Sequence, residues 1–115
     1  MKPIEKMLDK YWRVYILNRD ACICQWCRKQ LKASIAHAAH VIPKSFGKRV
    51  RWDKLNGICL CFNCHMERWH DMDHTGEKWF QEKFPERWEY LQGLILKGVV
   101  FYTDDELEEI AEGLK

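Results

Sequence analysis

Residues 37–70, HAAHVIPKSFGKRVRWDKLNGICLCFNCHMERWH, contain the features around which this chain is organised. In order, they are a histidine-bearing β-prone run, a basic loop, an asparagine, a second β-prone run, a Cys-x-x-Cys pair and further histidines. Thiols and imidazoles are side chains that bind metal ions, and an imidazole also moves protons near neutral pH. The stretch therefore predicts metal or proton chemistry.

Length and composition limit the class of protein. A chain of 115 residues is expected to form one domain, residues 1–115, with a modest core. The opening residues, MKPIEKMLDKYWRV, are charged every few positions, so we predict neither a signal peptide nor a membrane span. We expect a cytoplasmic location, where closely spaced cysteines are interpreted as metal ligands rather than disulfides.

Two Cys-x-x-Cys pairs predict a structural zinc site. Cys24 and Cys27 form the first pair, and Cys61 and Cys64 form the second. The alternative is that they are free, buried cysteines. Four thiolates complete a tetrahedral zinc site, so the two remaining thiols, Cys22 and Cys59, are interpreted as small apolar residues.

The charge of the chain is unevenly distributed. Residues 28–54 carry eight Lys or Arg and one acid, whereas residues 55–115 carry thirteen acids and six bases. This pattern favours a polyanionic partner for the middle segment, although a basic loop can also be merely solvated. The basic residues expected to contact phosphate are Lys44, Lys48, Arg49, Arg51 and Lys54.

Residue patterns predict an α+β, mostly helical fold. Apolar residues at helical spacing indicate a helix over about 4–18, with an aromatic stripe that is core rather than a base-stacking surface. Strands are predicted over 35–42 and 57–60, joined by a long irregular loop. A core of about 21–74 is then followed by a helical region of about 75–115.

The boundaries of the later helices come from capping and breaker residues. A short helix is expected after Cys64. Thr75 is predicted to cap a helix over 77–84, Pro85 to start one through residue 97, and Thr103 to open a capping box for the last helix. Residues 99–102 are expected to form a short strand or an extended link.

The histidines in and after the short helix differ in their expected roles. His70 lies five residues after His65, which is about 140° around an α-helix. We therefore predict that His70 does not share the face of His65 unless the helix breaks. His70 and His74 are interpreted as ordinary surface or core residues.

Three segments together resemble a known family. They are His40-Val-Ile-Pro43, Arg51-Trp52-Asp53 with Asn56, and Leu60-Cys61-x-x-Cys64-His65. This pattern resembles the HNH endonucleases, the His-Me finger nucleases with a ββα-metal core, over about residues 8–91. Their four-cysteine variety in short phage and prophage proteins looks most similar.

The resemblance implies a role for each matching residue. His40 would be the general base, Asn56 the asparagine that fixes the loop and the base, and His65 a ligand of a catalytic divalent ion such as Mg²⁺, Mn²⁺ or Ni²⁺. Many members carry Asp or His just before the base, where this chain has Ala39. His37 is either a replacement ligand, about 6.6 Å upstream along the strand, or an ordinary strand histidine.

The resemblance also implies an activity, namely metal-dependent hydrolysis of phosphodiester bonds in double-stranded DNA with weak sequence preference. It suggests phage DNA processing or packaging in a bacterial or phage-infected cell, with terminase as a partner. A zinc-ribbon module that binds nucleic acid without cutting would explain the cysteines and the basic loop, but not His40, Asn56 and His65 together. A protein-interaction adaptor would leave the whole central stretch unexplained.

Overall fold

The computed structural model describes residues 1–115. The chain forms α1 (Pro3–Arg19), β1 (His37–His40), a 3₁₀-helix (Lys44–Phe46), α2 (Lys48–Arg51), β2 (Gly57–Leu60), a π-helix (Cys64–Trp69), α3 (Thr75–Lys83), α4 (Pro85–Leu96) and α5 (Asp104–Leu114). The two strands form one antiparallel sheet. This architecture confirms the expected α+β, mostly helical fold. No helix combines the length and apolar character needed to cross a membrane.

Helix α1 buries the apolar face predicted from its periodicity. Leu8, Trp12 and Ile16 are all buried, and they pack with Leu107 and Ala111 of α5 in one hydrophobic cluster. The aromatic stripe therefore belongs partly to the core, as predicted. Because α1 also contacts both strands, it connects this cluster to the sheet.

The sheet lies directly against α1. His37 pairs with Leu60 and His40 pairs with Gly57 in the antiparallel register. A Cβ atom at Gly57 would come within 2.6 Å of side-chain atoms of Ile16 and Trp12, so only glycine allows this close approach. Every residue of β2 is buried, and Ile58, Cys59 and Leu60 belong to the larger hydrophobic core.

The first strand is shorter than predicted. β1 ends at His40, and the next two residues bind Asn56 instead of continuing the ladder. The Val41 amide donates to the Asn56 carbonyl at 3.1 Å. The connection between the strands is also more regular than the predicted loop, because it contains the 3₁₀-helix and α2.

The C-terminal helices largely follow their predicted boundaries. The prediction for Thr75 is wrong, since Thr75 is the first residue of α3 and follows a left-handed His74. The Asp71 carboxylate accepts hydrogen bonds from the Thr75 amide and hydroxyl, and so supplies the missing cap. The Thr103 capping box of α5 is present, and residues 99–102 form a link without regular structure.

Candidate metal centre and catalytic cleft

The two Cys-x-x-Cys pairs meet at one point. The Sγ atoms of Cys24, Cys27, Cys61 and Cys64 all lie within 4.8 Å of one another, and those of Cys27 and Cys61 are 3.9 Å apart. Thiolates bound tetrahedrally at about 2.3 Å from a zinc ion would be separated by about 3.8 Å. The four cysteines thus form a metal site whose donors suit zinc. Cys22 and Cys59 stay outside it.

Backbone hydrogen bonds prepare this site for a cation. Burial disfavours ionisation of Cys24, but hydrogen bonds from the backbone of Cys27, Cys61 and Trp26 outweigh it and lower the pKa of Cys24 to about 7. By contrast, burial and nearby negative groups raise the pKa of Cys59 to about 12. Cys59 is therefore a protonated, apolar core residue, as its sequence position suggested.

His40 is held by the backbone of α2 and by the face of an indole ring. Its Nε2 lies 2.9 Å from the Arg51 carbonyl oxygen, and its ring stacks on Trp12 with centroids 3.9 Å apart. A carbonyl oxygen only accepts hydrogen bonds, so Nε2 must carry the proton. In the neutral imidazole, Nδ1 then carries the lone pair.

The surroundings keep the His40 imidazole neutral. Burial lowers the pKa of His40, and the hydrogen bond to Arg51 opposes this effect. The charges of Lys44 and Arg51 lower the pKa further, whereas Asp9 raises it. Because the net change is downward from an ordinary value of about 6.5, His40 is unprotonated at neutral pH.

Asp9 of α1 fixes the end of α2 that holds His40. Its two carboxylate oxygens accept hydrogen bonds from Arg51 Nε and Nη2 at 3.0 and 2.8 Å. The indole N–H of Trp52 also donates to Asp9, at 2.8 Å. These contacts place the Arg51 carbonyl against His40.

Asn56 is completely buried and bound on every side. Its Oδ1 accepts from the Ile42 amide at 2.7 Å, and its Nδ2 donates to the carbonyls of Ile42 and Val50 at 3.0 and 2.8 Å. The side chain therefore joins the segment after β1 to the end of α2. With all its polar atoms engaged inside the protein, Asn56 is not available to bind an ion.

His65 of the π-helix contacts two other histidines, one on β1 and one just after the end of the π-helix. The Nδ1 atoms of His37 and His65 are 2.9 Å apart, and the Nε2 atoms of His65 and His70 are 3.1 Å apart. The prediction that His70 does not share the face of His65 is wrong, because the π-helix has a wider turn that brings residues five apart together. The only sequence signal for this contact is the five-residue spacing, which is informative only if the helix is π.

His65 is neutral in this arrangement. Burial lowers the pKa of His65 to about 4, with smaller contributions from His70, His37 and His40. A neutral imidazole is the form that binds a metal ion. His65 is therefore ready to act as a ligand at neutral pH.

His40 and His65 line the same cleft, which has a volume of about 480 Å³. Of the five basic residues expected to contact phosphate, Lys44 lies in this cleft. Lys48, Arg49 and Lys54 line a different cavity of about 470 Å³.

Three of those basic side chains bind other groups of the protein. Lys48 Nζ lies 3.1 Å from a Glu5 carboxylate oxygen, and Arg49 Nε donates to the Gly98 carbonyl at 3.0 Å. Arg51 is paired with Asp9. The structure therefore leaves Lys44 as the lysine in the cleft of His40 and His65.

No curated protein and no solved structure matches this chain. A family model described as HNH endonuclease matches residues 24–81, which is just over half of the chain. The matched segment contains both cysteine pairs, both strands and every residue that lines the cleft of His40 and His65. The chain belongs to the HNH endonuclease family.

Proposed function

We propose that this protein is a metal-dependent endonuclease that hydrolyses phosphodiester bonds of double-stranded DNA, with His40 as the general base and His65 as a ligand of a divalent ion. One observation carries the proposal. The His40 imidazole, whose Nε2 donates to the Arg51 carbonyl, lines the same cleft as the neutral imidazole of His65 and the side chain of Lys44. In the proposed reaction, these three side chains serve as the base, the metal ligand and the cation that contacts phosphate.

His40 is suited to removing a proton from water. Its Nε2 is occupied by the Arg51 carbonyl, so proton transfer falls to Nδ1. The lowered pKa keeps Nδ1 unprotonated at neutral pH. A positioned general base contributes typically about 10²- to 10⁴-fold to a rate.

The donor set of the cleft fits a divalent ion. His65 offers a neutral imidazole, and water and phosphate oxygens can complete the coordination of Mg²⁺, Mn²⁺ or Ni²⁺. Such an ion would supply Lewis-acid stabilisation of the charge on the phosphate and the leaving oxygen. Water attack then yields 3′-hydroxyl and 5′-phosphate ends, as in the family.

The second metal site is structural in this proposal. Zinc at the four cysteines would join the segment before β1 to the start of the π-helix, which carries His65. All four positions of a tetrahedral ion are then filled by protein, so no position is open for a substrate. The structural zinc thus positions the catalytic cleft from outside it.

DNA binding in this proposal relies on phosphate contacts. Lys44 stands in the cleft, where a scissile phosphate would lie. Phosphate contacts position a duplex without reading its sequence, which supports weak preference. The resemblance to short phage proteins supports a role in phage DNA processing, with terminase as a partner that a pull-down from infected cells would test.

The direct test is cleavage of supercoiled plasmid by zinc-loaded protein with Mg²⁺, Mn²⁺, Ni²⁺ or EDTA. Wild-type protein should nick or cut the plasmid with a divalent ion and not with EDTA. His40→Ala should keep its zinc content and DNA affinity while the rate falls by about 10²-fold or more. If wild-type protein binds DNA but cuts with none of these ions, the protein is a zinc-dependent binding module instead.

A further inference from the structure

We propose that His65 and His70 together hold the divalent ion of the cleft between their Nε2 atoms, and that His37 keeps His65 in the tautomer that binds it. The proposal rests on the proposed nuclease function. It identifies a second protein ligand, which Ala39 cannot provide, and it gives His37 a positioning role.

The separation of the two Nε2 atoms suits a shared ion. Imidazole nitrogens bind a zinc-like ion at about 2.0–2.1 Å, so two of them on one ion lie about 2.9 Å apart at a right angle and about 3.4 Å apart at a tetrahedral angle. The observed 3.1 Å falls between these values. The distance therefore lets His65 and His70 bind one ion that lies to one side of the line joining the two nitrogens.

The contact with His37 decides which nitrogen of His65 is free. His37 touches Nδ1 of His65, whereas His70 faces Nε2. If Nδ1 of His65 carries the proton and donates to His37, the lone pair on Nε2 points towards His70. Metal-bound histidines commonly donate their second N–H to a carboxylate, a backbone carbonyl or water, which fixes the tautomer and the ring orientation. Here the lone pair of His37 Nδ1 would take the place of that acceptor.

This geometry also explains why His37 is not a ligand of the same ion. A single ion cannot bind both nitrogens of His65, because they lie on opposite edges of the ring. His37 reaches only Nδ1, and its own ring is held edge-on to Phe62 with centroids 5.9 Å apart. His37 thus acts on the ion through His65.

The competing interpretation is a chain of three hydrogen-bonded imidazoles that binds no metal. In that case, a proton instead of an ion lies between the Nε2 atoms. The exposure of His70 and its place in the cleft beside Lys44 favour an ion, because an ion there is open to water and phosphate. Direct measurement of ion binding separates the two interpretations.

Calorimetric titration of zinc-loaded protein with Ni²⁺ provides the test, with zinc content measured before and after. Wild-type protein should bind one Ni²⁺ beyond the structural zinc. His70→Ala should weaken Ni²⁺ binding by at least about 100-fold, the upper end for groups that merely orient a ligand. His74→Ala removes a nearby exposed histidine that does not touch His65, and it should leave the affinity unchanged.

Variants of His37 test the positioning role separately. His37→Phe should weaken Ni²⁺ binding by about 10- to 100-fold. His37→Gln should restore most of the affinity, because its carbonyl oxygen can accept the same hydrogen bond from Nδ1 of His65. Equal affinities for these two variants would overturn the tautomer assignment.

The outcomes distinguish this proposal from the nuclease proposal. Wild-type affinity for Ni²⁺ in His70→Ala would overturn the shared site, even if His40→Ala showed that the nuclease mechanism is right. Conversely, His70→Ala could lose the Ni²⁺ site while the wild-type protein cuts no DNA. That result would support the ion site and refute the nuclease proposal.

Discussion

His40 has a carbonyl, not a carboxylate, as its hydrogen-bond partner. Both would fix the tautomer, but a carboxylate would also raise the pKa of the imidazole by favouring its charged form. The neutral Arg51 carbonyl orients the ring and raises its pKa less than a carboxylate would. Stacking on Trp12 buries the His40 ring. At the scale of the residue, the site therefore favours an imidazole that is oriented and unprotonated.

The pH dependence of cleavage should reflect this balance. His40 acts as a base only when unprotonated, so kcat/KM should fall as the pH is lowered through its pKa. Because burial lowers that pKa, the midpoint should lie below about 6.5, with a plateau from neutral pH upwards. Plasmid nicking between pH 5 and 8, with DNA affinity measured at each pH, checks this expectation.

Two results would contradict it. A midpoint at or above pH 7 would mean that Asp9 and the Arg51 contact outweigh burial. A rate that falls as the pH rises from 5 to 8 would mean that the reaction needs a protonated group and not an unprotonated His40.

At the scale of the element, predictions from sequence succeeded where a local pattern determines the structure. Three of these patterns involve only neighbouring residues. They are the 3.6-residue periodicity of α1, the β-prone run of β2 and the spacing within each cysteine pair. The capping box at Thr103 is equally local. These features define the fold and the metal centre.

The π-helix shows where local patterns stop being informative. Residues 64–69 have no breaker or spacing that separates a π from an α conformation. The last turn of this helix packs closely on α3, since a Cβ at Gly76 would come within 2.8 Å of the Trp69 backbone. Assuming an α-helix put His70 on the wrong face, so the contact between His65 and His70 was missed.

The paired cysteines should determine whether the elements around the sheet form. Cys61→Ser removes one of four donors, and structural zinc supplies on the order of 10 kcal/mol, comparable with the whole stability of a small domain. We therefore expect loss of zinc and unfolding. The matched control, Cys22→Ser, should keep both zinc and its melting temperature because Cys22 lies outside the cluster.

Zinc content and thermal melting of the two variants give the answer. A Cys61→Ser protein with normal zinc and an unchanged melting curve would show that the four thiols do not support the fold.

At the scale of the whole molecule, charge placement differs from charge composition. The middle segment is basic in sequence, yet Lys48 pairs with Glu5 of α1, and Arg51 pairs with Asp9 of the same helix. These partners lie more than forty residues away, so no local pattern could reveal them. Much of the apparent basic surface therefore serves to attach α2 to α1, and Lys44 remains beside the cleft histidines.

The salt dependence of DNA binding should follow this placement. Each lost phosphate contact lowers the slope of log affinity against log salt by about 0.9 for duplex DNA. We expect Lys44→Ala to lose about that amount, equally for unrelated sequences. The double variant Lys48→Ala, Arg49→Ala should lose less slope, although it should be less stable because it leaves Glu5 almost buried and without its lysine.

Affinities measured for one short duplex from about 50 to 200 mM salt, with urea unfolding of both proteins, test both parts. A greater loss of slope in the double variant than in Lys44→Ala would place the DNA across the 470 Å³ cavity lined by Lys48, Arg49 and Lys54. The phosphate contacts would then lie in that cavity and not beside Lys44. The phosphate contacts predicted from sequence for Lys48, Arg49 and Lys54 would then be right, and the placement inferred from the cleft would be wrong.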